Sequence, residues 1–183
     1  ENGTIPWYCL YRPRRQKLFE KPKILIRQTA NRILASFDAE QWYCLKSVII
    51  VQLPDDSPLR YEYLLGLLNS RLFDFLYNDL VREETRVFPE VKPIQLFKLP
   101  VKLPDFSNRT EQQLYDNLVN LVQQILTQHA DVHALERKFL TLLNSDFDIR
   151  KFGKNLARWH EFEWKEFEKE LQKHKVTLTL EQK

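Results

Sequence analysis

The chain has no methionine, only three glycines and only two cysteines among its 183 residues. Glycines at positions 3, 66 and 153 cannot build a glycine-rich phosphate loop, which excludes nucleotide-binding motifs of that kind. Cys9 and Cys44 lack metal-ligand spacing, so we interpret them as reduced thiols. The sequence has no run of about 18 apolar residues, so no membrane span is predicted. Without methionine or a signal peptide, we expect a fragment of a longer cytoplasmic protein.

Positive charge is concentrated at the start of the chain, although the formal net charge is only +3. Residues 1–33 hold eight lysines and arginines against two glutamates, a balance of +6, so the other 150 residues carry −3. A basic block followed by a mildly acidic remainder favours an anionic partner that docks at one end. A solvated basic surface without a partner fits the same charges equally well.

Residues 7–53 have the composition of β-strands. The segments KILIRQ, RILASFD and WYCLKSVIIVQL are rich in β-branched and aromatic residues, with polar breaks between them. From residue 59 to residue 81, apolar residues recur at helical spacing and predict one core helix packed on the sheet. Gly66 within this helix indicates close approach of another backbone. Four prolines between residues 89 and 104 then restrict the chain to loops and edge strands.

Three helices are predicted after residue 106. The first opens at Ser107 or Asn108 as its N-cap, with Glu111 in its first turn. A second is expected over residues 131–147, and a third, long and heavily charged, over residues 151–174.

The order of these segments predicts an α+β protein with two parts. Residues 1–106 would form a mixed or antiparallel sheet domain with a core helix. Residues 107–183 would form a helical subdomain, which is either a spacer or docking surface or simply a self-packed bundle.

Catalytic signatures are weak in this sequence. His129 and His133 have the spacing of a metal pair on a helix, but no third ligand is evident, which favours ordinary surface histidines. Asp55, Glu90 and Lys92 resemble the acidic and lysine residues of a Mg²⁺-dependent nuclease, yet prolines flank both segments. No serine or cysteine has a histidine partner by local motif. We therefore expect no catalytic residue and no metal site in this chain.

Two polar clusters fit a DNA-reading module, which needs cations for phosphates and bidentate side chains for base edges. One cluster is the turn between the first two predicted strands, and the other follows the core helix. A charged run is more often a solvated face, and a protein-interaction module without nucleic-acid binding is the alternative. The predicted DNA-binding residues are Arg14, Arg15, Arg27, Gln28, Asn31 and Arg32 around the turn, and Arg82, Arg86 and Lys92 after the helix.

Several phrases of the sequence resemble a known family. These are ILIRQTANRILASFD, YLLGLLNSRLFDF and VKPIQLFKLPV, and they are similar to the TaqI-like C-terminal specificity domain of restriction–modification adenine methyltransferases. The later segment KFGKNLARWHEFEWKEFEKELQK resembles the helical tail of enzymes with fused restriction and methylation activities. The resemblance covers roughly residues 20–183.

The resemblance implies a target recognition domain that binds double-stranded DNA. A catalytic methyltransferase domain of the same polypeptide would bind S-adenosylmethionine, with Mg²⁺ needed if an endonuclease is also fused. The family's catalytic Asn-Pro-Pro-aromatic motif is missing from this sequence, so methylation is not expected from this chain alone. Asn69, Ser70, Gln95 and Pro100 match the shared pattern, and we interpret them as structural.

Overall fold

The computed structural model describes residues 14–81, 90–149 and 156–176. The chain packs into two compact units, residues 1–124 and 125–183. The described residues contain three strands and five α-helices, which confirms the predicted α+β class. The strands are β1 (Lys23–Arg27), β2 (Ala35–Asp38) and β3 (Val48–Val51); the helices are α1 (Tyr61–Leu68), α2 (Arg71–Val81), α3 (Pro93–Leu96), α4 (Arg109–Phe147) and α5 (Trp164–Lys173), with 3-10 turns at Gln16–Leu18 and Leu156–Glu161.

The three strands form one antiparallel sheet in the order β2-β1-β3. Ile24 and Ile26 of the central strand are completely buried, as expected for alternate positions on one face of a strand. The third predicted strand is shorter than expected, because residues 39–47 form an irregular crossover that reaches β3 from the opposite end of the sheet. We call the end where β1 stops and β2 and β3 start the tip end, and the other end the far end.

A buried ion pair lies at the far end. Lys23 and Asp38 face each other across β1 and β2, and Lys23 Nζ lies 2.6 Å from Asp38 Oδ2. Both side chains are removed from solvent, with 0% and 3% exposure. Lys23 also donates to the Phe19 carbonyl at 2.9 Å, so its ammonium has two partners.

The predicted core helix is two helices, α1 and α2, which corrects the sequence-based expectation. Asn69 lies between them, and its side-chain amide both accepts from the Ala35 N–H and donates to the Ala35 carbonyl, at 3.0 and 2.9 Å. Ser70 Oγ then accepts from the Phe73 N–H at 3.1 Å and so caps α2. The polar residues break the helix because their side chains satisfy other backbone groups. Their predicted structural role is therefore consistent with these contacts.

The first part of α4 packs on α1 within residues 1–124. The ring centroids of Tyr63 and Tyr115 lie 4.9 Å apart, and Tyr115 Oη accepts from the backbone N–H of Arg60 at 2.8 Å. A Cβ added at Gly66 would lie 2.9 Å from Val122 Cγ2. Side chains of α4, not another backbone, therefore approach Gly66 closely, which corrects the sequence-based expectation.

Residues 109–147 form one continuous helix, not the two that were predicted. No glycine or proline interrupts this stretch, so nothing in the backbone chemistry requires a break. Of the two N-cap candidates, Asn108 is the cap, since its Oδ1 accepts from the Thr110 N–H at 3.0 Å. The boundary between the two compact units lies inside this helix, whereas sequence composition places the division after residue 106.

The second unit has a core of its own around the end of α4. Phe139 stacks on Trp159 with 4.1 Å between ring centroids, and Leu156 and Leu171 are almost completely buried. The third predicted helix is interrupted: a 3-10 turn ends at Glu161, and α5 restarts with a capping box between Glu163 and Glu166. No helix in the described ranges is both long and apolar enough to cross a membrane.

Candidate nucleic-acid interface

The turn between β1 and β2 closes the tip end of the sheet. The backbone N–H of Arg27 donates to the Leu34 carbonyl at 3.0 Å, and Ile33 is buried with 3% exposure. These contacts hold the turn on the core. Arg27, Asn31 and Arg32 are all exposed to solvent, and Gln28 is half-buried.

Two distant segments of the chain dock on this turn. The N–H of Gln28 donates to the Ser47 carbonyl at 3.0 Å, and the carbonyl of Gln28 accepts from the Val91 N–H at 2.7 Å. Thr29 also forms an antiparallel bridge with Glu90. The turn therefore brings together the segment that precedes β3 and the segment that precedes α3.

Tyr77 of α2 anchors the segment that precedes α3. Its hydroxyl is buried, donates to the Glu90 carbonyl at 3.4 Å and accepts from the Lys92 N–H at 2.8 Å. The turn and the described end of the second cluster, residues 90–92, consequently meet at one end of the sheet. Arg82 and Arg86 lie outside the described residues, and Lys92 is half-buried beside α3.

The two guanidinium groups of the turn face solvent. Over the described ranges, neither Arg27 nor Arg32 forms an ion pair. An unpaired guanidinium keeps all its donors available for a phosphate or a guanine edge.

Arg14 is placed differently from the other predicted residues. It is half-buried, and its guanidinium donates to the Val48 carbonyl at 3.0 Å and lies 3.8 Å from Cys44 Sγ. Arg14 therefore braces the start of β3 at the tip end with one nitrogen. Arg15 is exposed and directly precedes the 3-10 turn.

Lys46 is a further cation at the tip end that the sequence reasoning missed. It is exposed and lies next to Ser47, whose carbonyl is bonded to Gln28. No local sequence signal could have found it, because its position depends on the crossover between β2 and β3. In the described part of this surface, the exposed cations Arg27, Arg32 and Lys46 stand against one acidic residue, Glu90. The balance favours an anionic ligand.

The residues of the hypothetical nuclease site do not meet. Both oxygens of Asp55 accept from Lys21 Nζ, at 2.8 and 2.6 Å, beyond the far end of the sheet. Glu90 lies at the tip end, bridged to Thr29. A metal bound jointly by these carboxylates would need them within one coordination sphere.

His129 and His133 contact each other on α4, with Nδ1 of the first 3.1 Å from Nε2 of the second. Nδ1 of His133 lies 2.9 Å from Glu136 Oε2, so this carboxylate contacts the other ring nitrogen. Among the described residues, no group of three or more histidine, cysteine, aspartate or glutamate side chains is placed to hold a metal ion.

Comparison with known families assigns residues 6–101, the part of the chain that contains the tip end, to a family. The family described as the TaqI-like C-terminal specificity domain matches residues 6–101, which is more than half of the chain. This chain belongs to that family. The specificity domain so defined contains the whole sheet, α1, α2 and α3, and every residue predicted to bind DNA.

Two further similarities concern the rest of the chain and a longer relative. Residues 109–183 match a domain of unknown function, DUF8810. A predicted type II restriction enzyme and methyltransferase of Methanocaldococcus jannaschii is 31% identical over 128 residues, covering 56% of this chain. The match covers 11% of that protein, so the chain is similar to only a small part of it.

Proposed function

We propose that this specificity domain reads the target sequence of a restriction–modification DNA methyltransferase. The observation that carries the proposal is the junction at Gln28, which holds three separated segments together through its backbone N–H and carbonyl. The junction presents exposed arginines and amides from a rigid sheet. A rigid frame of this kind is what base readout requires, because bidentate contacts tolerate little displacement.

In the proposed complex, the turn enters the major groove of duplex DNA. Arg27 and Arg32 bind phosphates or the O6 and N7 atoms of guanine, while Gln28 and Asn31 pair with adenine. Lys46 supports the same surface as a phosphate contact. Each good bidentate base contact contributes roughly 1–3 kcal/mol of discrimination between bases.

The five remaining predicted residues have supporting roles in this proposal. Arg15 and Lys92 follow the phosphate backbone on either side of the turn, and Arg14 adds charge while it braces β3. Arg82 and Arg86 extend the contact after α2. Contacts to phosphates position the protein on the duplex but carry no base information.

The reaction itself is assigned to another part of the parent polypeptide. Methyl transfer to adenine needs S-adenosylmethionine, and this sequence has neither the glycine-rich motif nor the Asn-Pro-Pro-aromatic motif for it. We propose that a catalytic domain of the same cytoplasmic protein binds the methyl donor and the extruded adenine. An endonuclease fused to that parent would need Mg²⁺. The specificity domain would hold the duplex and so favour base extrusion at the correct site.

Selection from a library of randomised DNA duplexes tests this function. The chain is bound to the library, bound duplexes are amplified, and the enriched sequences are read. We expect one short motif to be enriched and its affinity to fall steeply with salt, since counterions are released from the phosphates. A chain that binds no duplex even at low salt would favour the protein-interaction alternative instead.

Substitutions at the tip end test whether Arg27 and Arg32 contact DNA. Arg27→Ala and Arg32→Ala should each weaken binding to the enriched motif, and the salt slope should decrease by about 0.9 for each phosphate contact that is lost. Arg60→Ala is the matched control, because it removes the same exposed charge at the opposite end of the sheet, where Arg60 pairs with Glu62. Variants of the turn that keep both affinity and slope would exclude this surface as the DNA contact.

A further inference from the structure

Helix α4 carries an unusual number of exposed apolar side chains. Six leucine, isoleucine and valine residues along it are about half exposed or more, in a helix whose other residues are mostly polar. Large apolar side chains aligned on one exposed face commonly mark a contact with another protein surface. They are Leu114 (65%), Leu121 (56%), Ile125 (57%), Val132 (50%), Leu135 (64%) and Leu142 (48%).

The spacing of these residues is a heptad repeat. With the usual lettering, the d positions are residues 114, 121, 128, 135 and 142, and the a positions are residues 118, 125, 132 and 139. All are apolar except Gln128, so the pattern holds over four heptads. A strict seven-residue repeat keeps its apolar face turned towards one partner helix when the two helices wind around each other.

The packing of α4 within the protein leaves most of this seam available. Its buried residues Tyr115, Val119, Val122 and Leu143 occupy e and b positions, which lie beside the seam. Only Leu118 and Phe139, the first and last a positions, are half-buried against their own units. Residues 125–135 of the second unit therefore expose a continuous stretch of the seam, and the same heptad continues in sequence to Leu114 and Leu142.

We propose that the chain dimerises through this seam, as a parallel two-stranded coiled coil with a second copy of itself. A two-stranded coil needs a partner helix with a matching heptad, and α4 of a second copy supplies one by identity. The residue types agree, because β-branched side chains at a with leucine at d favour two strands. Here Ile125 and Val132 occupy a positions, and Leu121 and Leu135 occupy d positions.

Gln128 decides the direction of the two helices. In a parallel pair in register, each d layer contains the same residue twice, so the two Gln128 amides meet and can hydrogen-bond to each other. In an antiparallel pair, a layers face d layers, and each amide would lie against an apolar side chain without a partner. A single polar residue in the seam is known to select register and number of strands at a cost in stability.

One contact opposes the parallel arrangement. Asp131 at g and Glu136 of the following heptad at e would bring like charges together along the flanks of the coil. Such exposed pairs have small effects, whereas a buried amide without a partner costs far more. The unfavourable charge pair therefore does not reverse the orientation.

Sedimentation equilibrium of the whole chain tests the proposal. We expect a mass of twice 22.1 kDa at micromolar concentration, with dissociation to monomers on dilution. The double variant Val132→Lys and Leu135→Lys should raise the dissociation constant at least 100-fold. The control Thr127→Lys and Ala134→Lys adds equal charge at exposed positions outside the seam and should leave the mass unchanged. Circular dichroism verifies that both variants remain helical.

A cysteine at the seam tests the orientation. In a background with Cys9→Ser and Cys44→Ser, Leu135→Cys should oxidise to a covalent dimer, because parallel helices in register place the two thiols together. The control Thr127→Cys should not. A wild-type chain that stays monomeric at high concentration overturns the dimer, and a dimer without the residue 135 disulfide overturns the parallel register. Either result leaves the proposed DNA contact at the tip end untouched.

Discussion

Replacing Lys23 by methionine tests how far burial determines the strength of an ion pair in this sheet. The protein contains a matched pair for the comparison. Lys21 and Lys23 lie two residues apart, and each ammonium is 2.6 Å from a carboxylate oxygen. The Lys21–Asp55 pair is 56% and 82% exposed, whereas Lys23 and Asp38 are 0% and 3% exposed. The shortest distance is therefore the same in the two pairs, and the main difference between them is solvation.

The expected magnitudes follow from solvation. Removing one partner of a buried ion pair costs about 3–5 kcal/mol, because the other charge is left without compensation. An exposed pair contributes about 0–1 kcal/mol, since water solvates the charge that remains. Against a total stability of about 5–15 kcal/mol, Lys23→Met should destabilise this unit severely and Lys21→Met only slightly.

Asp38 should be even less replaceable than Lys23. Its carboxylate also accepts the backbone N–H groups of Glu40 and Trp42, at 2.8 and 3.0 Å, and so shapes the start of the crossover. We expect Asp38→Ala to cost at least as much as Lys23→Met. An apolar double replacement of Lys23 and Asp38 should not restore stability, because those two N–H groups would still lose their acceptor.

Urea unfolding measures these differences, and hydrogen exchange of the β1 amides assigns the transition to this unit. The decisive comparison is the free energy of unfolding of Lys23→Met against that of Lys21→Met. Equal losses for the two variants, or a loss below about 1 kcal/mol for Lys23→Met, would contradict the argument from burial.

Two further predictions concern the contact between α1 and α4 and the segment that leads into α4. Gly66→Leu should lower the melting temperature, because even a Cβ there would lie 2.9 Å from Val122 Cγ2 and overpacking typically costs about 1–3 kcal/mol; an unchanged melting temperature would show that the helices can separate freely. Glu111→Gln should lower stability at neutral pH but not in acid. A hydrogen bond from the neighbouring Lys102 side chain and another from a backbone N–H hold the pKa of Glu111 below its ordinary value of 4.5, so its contribution is present above that value and disappears as the pH falls through the lowered pKa. Urea midpoints near pH 7 and about pH 2 check this, and a difference that stays the same size at both pH values would contradict it.

The spacing of apolar residues along the sequence predicted correctly where most strands and helices occur. The alternation around Ile24 and Ile26 predicted a strand, and the structure buries both residues. Boundaries were less predictable: the local sign of a break was the N-cap serine Ser70, and the break also depends on hydrogen bonds between Asn69 and Ala35, 34 residues away in sequence. The same reasoning erred in the opposite direction over residues 109–147, where it expected a break that the backbone does not need.

By itself, the sequence determined the α+β class, the basic character of the opening segment, and the residues that resemble the specificity domain. These properties depend on residue type and on spacing along one element. Only the tertiary structure decided that Gln28 binds both Ser47 and Val91, and hence that the turn, the start of β3 and the residues just before α3 share one end of the sheet. It also decided that Arg14 braces β3 and that Lys46 joins the surface. The physical reason is that such contacts join groups far apart in the chain through backbone N–H and carbonyl groups, which every residue carries and no local pattern distinguishes.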